Sequence, residues 1–255
     1  MKQIFSVILI LILFISCEKP SECVESTGEI VTRDYEVSGF LPTDEIKRIT
    51  VNRGIELVIT EGPVFKVSIK SGSNLIDNIE VLKVGTNLII NDNTKCNWLR
   101  QYGQTIVYIT TPKLEEIYSK TERNISSNGV LTFPTLRLFA LDENGDFTAG
   151  AGTGDFFVTV NNSELAVETN NVARFYLSGN VTTASFNFYA GDSRIEAENL
   201  TVQNISVYHR GSNDMIVKPI LSISGKMVST GNIILKNNPP NVTVQELYQG
   251  HVIYN

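Results

Sequence analysis

A polar turn that recurs every 21 residues limits most strongly how this chain can fold. Asn171, Asp192 and Asn213 occupy such turns 21 residues apart. Further upstream, Asn124 and Gly145 are separated from each other by the same 21 residues. Short alternating strands precede the turns, at 136–139, 165–167, 186–188, 205–207 and 221–223. A repeat of about 20 residues with more than one strand per repeat is typical of a stacked β-solenoid. The repeat therefore predicts a β-helix of about 20-residue coils. Spacing of this kind also fits a β-sandwich, and that alternative stays open.

One repeat is longer than the others. The step from Asp146 to Val172 contains the segment 148–154, TAGAGTG, which is rich in Gly and Ala. Gly-rich segments between strands mark turns and bulges. We therefore expect an extra bulging turn between two coils.

The first half of the chain shows strand periodicity of two. Apolar residues alternate in 55–60 and 65–70, and Glu61-Gly62-Pro63 between them resembles a hairpin turn. A second hairpin is indicated where 81–84 and 88–90 flank Gly85-Thr86-Asn87. A further strand at 105–111 stops at Pro112. The sequence thus predicts an all-β domain over 35–255, with N-terminal β-hairpin strands at 35–112 and stacked coils at 113–255.

The N-terminus has the pattern of a secretory signal. Lys2 precedes an apolar run over 4–15, which is shorter than the ~20 residues that a membrane-spanning helix needs. The run ends in Phe14-Ile15-Ser16-Cys17, which resembles a bacterial lipobox. This predicts a lipoprotein signal peptide at 1–17, lipid attachment at Cys17, a tether at 18–34 and an outer membrane lipoprotein of the cell envelope. An uncleaved signal-anchor and a soluble secreted protein are the alternatives.

Two further cysteines remain after Cys17. In an exported protein, Cys23 and Cys96 are expected to form a disulfide. A loop of that length would restrict the unfolded chain by about 4 kcal/mol in the loop-entropy model. Two unpaired thiols are the alternative.

The charge balance limits the class of partner. Net charge is −6 and the pI is near 5.1, and no block of like charges stands out. This argues against nucleic acid and anionic lipid surfaces as partners.

Neither histidine is placed for catalysis or metal binding. His209 ends a strand, and a solvated strand-end histidine is the expectation there; His251 lies near the C-terminus and is interpreted in the same way. Neither has another His or Cys at metal-ligand spacing. No metal, cofactor or catalytic histidine is therefore predicted.

Carboxylates are more numerous, and β-helices host polysaccharide hydrolases. Two groups lie around turns, Asp142, Glu143, Asp146 and Asp155 in one and Asp192, Glu196 and Glu198 in the other, and stacking would bring Asp192 near Asp214. Hydrolysis needs two acids facing one sugar bond. An Asp in a turn also hydrogen-bonds local backbone for structural reasons, which is the favoured interpretation over calcium binding and catalysis.

Three aromatic residues suggest a surface with a role in binding or capping. Trp98, Tyr102 and Tyr108 would supply rigid contact area for a sugar or peptide. The favoured alternative is a cap that covers the open end of the solenoid.

Several motifs together resemble the head GIN domain family. They are the strand Val51-Asn52-Arg53-Gly54-Ile55-Glu56-Leu57-Val58-Ile59, the aromatic stretch at Cys96-Asn97-Trp98, and the turns at 152–155 and 211–214. Members are described as autotransporter-type adhesin heads and occur as lipoproteins of Bacteroidetes-like bacteria. The turns at Asn170-Asn171-Val172 and Thr121-Glu122-Arg123-Asn124 depart from the family pattern, so those coils are expected to turn differently.

The resemblance implies a right-handed β-helix over about 35–255 and brings no catalytic residues. We therefore expect a non-enzymatic, lipid-anchored adhesin or ligand-binding β-helix. Its partner would be an unknown glycan or an envelope or host protein. A polysaccharide-degrading enzyme and a structural or stress-related envelope lipoprotein are the alternatives.

Overall fold

The computed structural model describes residues 23–41, 44–94, 101, 103–142 and 152–255. Within these ranges the chain forms seventeen β-strands and one 3-10 turn, Ile76–Asn78, and the strands join into one curled sheet. The strands are β1 Ile30–Tyr35, β2 Arg48–Val51, β3 Ile55–Glu61, β4 Lys66–Gly72, β5 Ile79–Val84, β6 Asn87–Asp92, β7 Thr105–Thr111, β8 Glu116–Ser119, β9 Ile125–Leu131, β10 Thr135–Ala140, β11 Phe156–Thr169, β12 Arg174–Phe188, β13 Arg194–His209, β14 Met215–Met227, β15 Ile233–Leu235, β16 Asn241–Glu246 and β17 Val252–Tyr254. The predicted all-β class is confirmed.

Successive long strands pair in parallel, each with the next one along the chain. Phe156 of β11 lies opposite Phe175 of β12, which is followed by Ile195 of β13 and Met215 of β14. The start of β14 then pairs with β15, and its end pairs with β16. Each strand therefore repeats the conformation of its predecessor about 20 residues later.

The core is a set of apolar columns that run from strand to strand. Phe156 and Phe175 stack inside the curled sheet with ring centroids 4.7 Å apart, and Ile195 and Met215 continue their column. Val167, Phe186 and Val207 form another. Burying a side chain of this size stabilises the fold by about 2 kcal/mol, so the columns hold adjacent strands together.

The polar turns at Asn171, Asp192 and Asn213 lie next to one another in the structure. The Asp192 N–H donates to the Asn171 carbonyl at 2.9 Å, and the Asn213 amide donates to the Asp192 carbonyl at 3.4 Å. The longer step is also present, since Thr135 of β10 pairs with Glu164 of β11. The part of the long repeat at 143–151, including Gly145, lies outside the described residues.

One of the two predicted hairpins is correct and the other is wrong. β5 and β6 pair antiparallel from Val84 and Asn87, around Gly85-Thr86. By contrast, β3 does not pair with β4 across Glu61-Gly62-Pro63. Both edges of β3 are already occupied, by β7 and β9 in parallel, and β4 pairs antiparallel with β1 and β7. β7, whose predicted end at Thr111 is confirmed, therefore lies between β3 and β4.

Candidate binding surface

The outer face of the sheet carries a continuous row of mainly apolar side chains. Register partners in adjacent strands project to the same side of a sheet. Beginning at β7, direct pairings link nine residues, here called the apolar row: Tyr108, Val58, Ser126, Phe157, Tyr176, Glu196, Ile216, Ile234 and Ile253. At a strand spacing of ~4.8 Å the row is ~38 Å long.

The centre of the apolar row is an exposed aromatic pair. The rings of Phe157 and Tyr176 are 42% and 37% exposed, lie 4.7 Å apart and are inclined by only 5°. Tyr108 and Ile253, towards the two ends, are 36% and 42% exposed. Exposed apolar side chains grouped in this way mark interaction sites on proteins.

A polar row runs beside the apolar row, two residues before each of its members from β11 to β17. It consists of Asp155, Arg174, Arg194, Asp214, Asn232 and His251. Side-chain oxygens of Asp155, Asp214 and Asn232 each accept a hydrogen bond at 3.1 Å from a backbone N–H about 20 residues later, at Arg174, Asn232 and His251 respectively. The polar row thus holds adjacent strands together.

Arg194 joins the two rows. Its guanidinium donates to Glu196 in the apolar row at 2.6 Å and to Asp214 in the polar row at 3.1 Å. Burial raises the pKa of Asp214, but hydrogen bonds from the Asn232 backbone and from Arg194 outweigh burial, so the pKa lies below the usual value. Asp214 is therefore a structural carboxylate rather than a proton donor at neutral pH.

Asp192 and Asp142 also bond to a turn beside an adjacent strand. Asp192 accepts from the Ser212 hydroxyl at 2.7 Å and from the Asn213 amide at 3.4 Å. Asp142 accepts from the Asn171 amide at 3.2 Å. These two carboxylates thus bond to side chains of an adjacent turn, whereas the expectation was a bond to the backbone of their own turn. Glu143 and Asp146 lie outside the described residues, and within the described ranges no group of three or more His, Cys, Asp and Glu could hold a metal ion.

The expectation of a solvated His209 is wrong. The ring is 1% exposed and packs edge-on against Phe188 with centroids 5.3 Å apart. Its Nδ1 accepts the Gly211 N–H at 3.2 Å, which assigns the proton of the neutral ring to Nε2. Burial lowers the pKa of His209, with the carbonyls of Asn213 and Asn232 opposing it only partly. The prediction relied on the position of His209 at a strand end, but the end of β14 and the turn after it cover this strand end. His251, by contrast, is exposed, and its Nδ1 lies 2.8 Å from Glu246.

A second aromatic group lies away from the apolar row, with Tyr118 and Phe139 buried and Tyr189 exposed. Tyr118 and Phe139 stack at 5.6 Å, and the Tyr189 hydroxyl donates to Glu168 at 2.9 Å. Burial and the hydrogen bond to Glu168 raise the pKa of Tyr189 to about 12. An ion pair of Glu168 with Arg137 at 3.0 Å ties this group to the sheet.

A cleft of about 740 Å³ opens beside the loop between β3 and β4. The stacked rings of Phe40 and Phe65, 4.2 Å apart, form its apolar part, with Ile46 and Val64. The ammonium of Lys113 at the rim is paired with both oxygens of Glu45 at 3.1 Å. The cleft is separate from the apolar row.

The family of the chain follows from its sequence over the curled sheet. A family model described as "Putative auto-transporter adhesin, head GIN domain" matches residues 46–239. The chain belongs to this family. The matched range includes all but the last member of the apolar row. No curated protein matches the chain.

Solved structures similar to this head GIN domain show the same fold. A putative adhesin from Bacteroides fragilis has a TM-score of 0.77 at 19% identity, over 91% of this chain and 100% of that chain. A putative adhesin from Parabacteroides merdae has a TM-score of 0.61 at 15% identity, over 91% and 98%. A protein from Parabacteroides distasonis, described as a putative lipid binding protein, has a TM-score of 0.60 at 14% identity, over 90% and 99%.

The head GIN domain contains only some of the predicted site residues within its described part. Tyr108 lies on β7 in the apolar row. Trp98, Tyr102, Cys96 and Cys17 lie outside the described residues, as does the predicted signal peptide. Cys23 is buried. Residues 30–34 of the predicted tether belong to β1, and no helix within the described ranges is long and apolar enough to cross a membrane.

Sequence reasoning missed Phe157 and Tyr176. The signal was present, because the dipeptides Phe156-Phe157 and Phe175-Tyr176 recur 19 residues apart at the same place in two coils. In each dipeptide the first ring enters the core and the second faces outwards, as the two-residue period of a strand requires.

Proposed function

We propose that this head GIN domain is a lipid-anchored, non-enzymatic adhesin of the cell envelope that binds its ligand along the apolar row. The exposed Phe157–Tyr176 stack within a row across nine strands carries this proposal. Most other outward positions of these strands are hydroxyl, amide or charged residues. An apolar row in such surroundings favours contact with a ligand or partner, which is either a glycan or an envelope or host protein.

The shape that we propose for the domain is a right-handed β-helix. Parallel pairing of β11 to β14 at steps near 20 residues supports stacked coils, as do the aligned turns at Asn171, Asp192 and Asn213. A stacked arrangement would make the apolar row straight and rigid. Rigid presentation lowers the entropic cost of binding an extended ligand.

Anchoring rests on the N-terminal sequence. The signal peptide at 1–17 would leave Cys17 as the lipidated residue, in the outer membrane, followed by a short tether. The proposed Cys23–Cys96 disulfide would hold the tether against the domain, and the burial of Cys23 fits such a bond. Labelling cells with a radioactive fatty acid tests this part: the wild type should be labelled, and Cys17→Ala should not.

A binding role rather than a catalytic one is supported by the carboxylates. Asp155, Asp192 and Asp214 are each engaged in hydrogen bonds between coils. Glycoside hydrolysis would need an acid pair free to face a sugar bond. A glycoside hydrolase that used Asp155, Asp192 or Asp214 would lose catalytic turnover when that residue is replaced by a neutral one.

Binding by intact cells tests the adhesin function. Cells that display the wild type should retain glycan-coated, matrix-coated or envelope-protein-coated beads, and Phe157→Ser with Tyr176→Ser should reduce retention about tenfold or more. Tyr189→Ser, in the second aromatic group, is the matched control. Equal retention by both variants would contradict the proposal. Protease shaving of the same cells establishes whether the domain is displayed at the surface.

A further inference from the structure

The apolar row contains one gap, at Ser126. Ser126 of β9 pairs with Val58 of β3 on one side and with Phe157 of β11 on the other. Its small side chain therefore replaces a large one between two apolar neighbours. Two strand spacings, ~9.6 Å, separate Val58 from Phe157 across this gap.

The gap has the size of one six-membered ring. Phe157 and Tyr176 stack at 4.7 Å across one strand spacing. A ring above Ser126 would lie at the same distance from the opposite face of Phe157. It would thus continue the stack by one position, with Val58 on its far side.

Both neutral and charged polar groups surround the gap. Asn124 and Asn128 are exposed two residues before and after Ser126. The Asn128 amide donates to the Thr60 hydroxyl at 3.3 Å, and the cation Arg123 is 3.5 Å from the carboxylate of Glu56. The surroundings therefore offer amides and hydroxyls, an ion pair whose charges balance, and the carboxylate of Asp155, which already accepts the Arg174 N–H.

We propose that this gap binds one pyranose ring of a neutral glycan, with an apolar face of the sugar on Phe157 and its hydroxyls on Asn124 and Asn128. This inference rests on the proposed binding function of the apolar row and names its ligand. An aromatic wall beside amide and hydroxyl groups matches a sugar ring, which has apolar and polar sides.

Other occupants fit the gap less well. A lipid bilayer would have to desolvate Asp155 and Arg174, which lie beside Phe157 and Tyr176 in the polar row. An anionic ligand would compete with Glu56 for Arg123. An extended peptide gains most from the edge of a sheet, whereas β9 is paired on both sides with β3 and β11.

Calorimetry on the purified full-length chain tests the inference. The probes are neutral hexose and N-acetylhexosamine oligosaccharides, their sulfated and sialylated counterparts, and a tryptophan-containing peptide. We expect binding of at least one neutral oligosaccharide, with affinity lowered about tenfold or more by Phe157→Leu, which keeps apolar bulk but removes the ring. Tyr248→Leu, an exposed aromatic residue outside the apolar row, should leave the affinity unchanged.

Ser126→Phe is the second variant, because it fills the gap without removing any present contact. It should abolish oligosaccharide binding while the thermal midpoint stays the same or rises. Unchanged affinity in this variant would overturn the inference. So would binding of only the anionic probes or only the peptide, and so would no binding of any neutral oligosaccharide. If any of these results is obtained but cells that display the wild type still retain the coated beads, the adhesin function stands and only the proposed ligand class is wrong.

Discussion

The aromatic rings of Phe157 and Tyr176 stack on the exposed face of the sheet, although 19 residues separate them in the chain. Their neighbours Phe156 and Phe175 stack in the core at the same distance. The same pair of strands thus carries one aromatic stack on each face. The inner one stabilises the coil, and the outer one lies on the proposed binding surface.

The outer stack should contribute measurably to stability as a pair. In a double-mutant cycle of Phe157→Leu and Tyr176→Leu, we expect a coupling energy of about 1 kcal/mol, beyond the area that each ring buries. Urea unfolding of the four proteins measures it. Phe157→Leu combined with Tyr108→Leu is the control, since two strands, β9 and β3, lie between these two rings and their effects should add. Additive effects in the first cycle would contradict a stacking contribution.

Replacing Asn162 should stabilise the protein. Both polar atoms of this buried amide have no hydrogen-bond partner among the described residues, and the register partners in the next two coils are Val181 and Val202. Asn162→Val should therefore raise the free energy of unfolding by about 1–3 kcal/mol, measured in urea. The exposed neighbour offers the control Asn161→Val, expected within about 0.5 kcal/mol of wild type. A loss of stability in the first variant would show that the amide has a structural partner.

Gly179 should tolerate no side chain. Its φ is +108°, and a Cβ there would lie 1.9 Å from the Val160 carbonyl oxygen of the preceding coil. Gly179→Ala should cost about 3 kcal/mol or more, because backbone strain and the clash between coils act together. Gly85→Ala provides the comparison: φ is +61° there, but the space is open, so only about 1–2 kcal/mol is expected. Similar costs at the two sites would mean that the coils can move apart.

The burial of His209 should make stability depend on pH. Its pKa is lowered from 6.5 in the folded state, so the unfolded chain binds the proton more readily. The stabilisation that the buried, neutral His209 ring adds to the folded state is complete above about pH 6.5. It is lost as the pH falls from 6.5 towards the folded-state pKa of His209. Urea unfolding between pH 5 and 7 should therefore show stability rising with pH. The slope of the unfolding free energy against pH should decrease in His209→Gln and persist in His251→Gln, which replaces the exposed histidine. Equal slopes in the wild type and both variants would rule out His209 as the source of the pH dependence.

Much of the fold could be predicted because the repeat is local. Alternation in 105–111 identified β7, Gly85-Thr86 identified the β5–β6 hairpin, and the 21-residue step aligned Asn171, Asp192 and Asn213. Each of these features depends on residues within one strand or on a fixed chain distance. Tyr108 was likewise recognisable as a surface aromatic, but its place in the apolar row was not.

What the amino-acid order established for this protein is the class of element, the period of its turns and which side of each strand is apolar. Which strands pair with one another was decided only by the tertiary structure. β3 pairs with β7 and β9 instead of β4, His209 is covered by the end of β14 and the turn after it, and Ser126 lies between Val58 and Phe157. The physical reason is that alternation specifies the face of a side chain but not the partner of a strand. That partner is chosen by the burial and hydrogen bonding of the whole sheet at once.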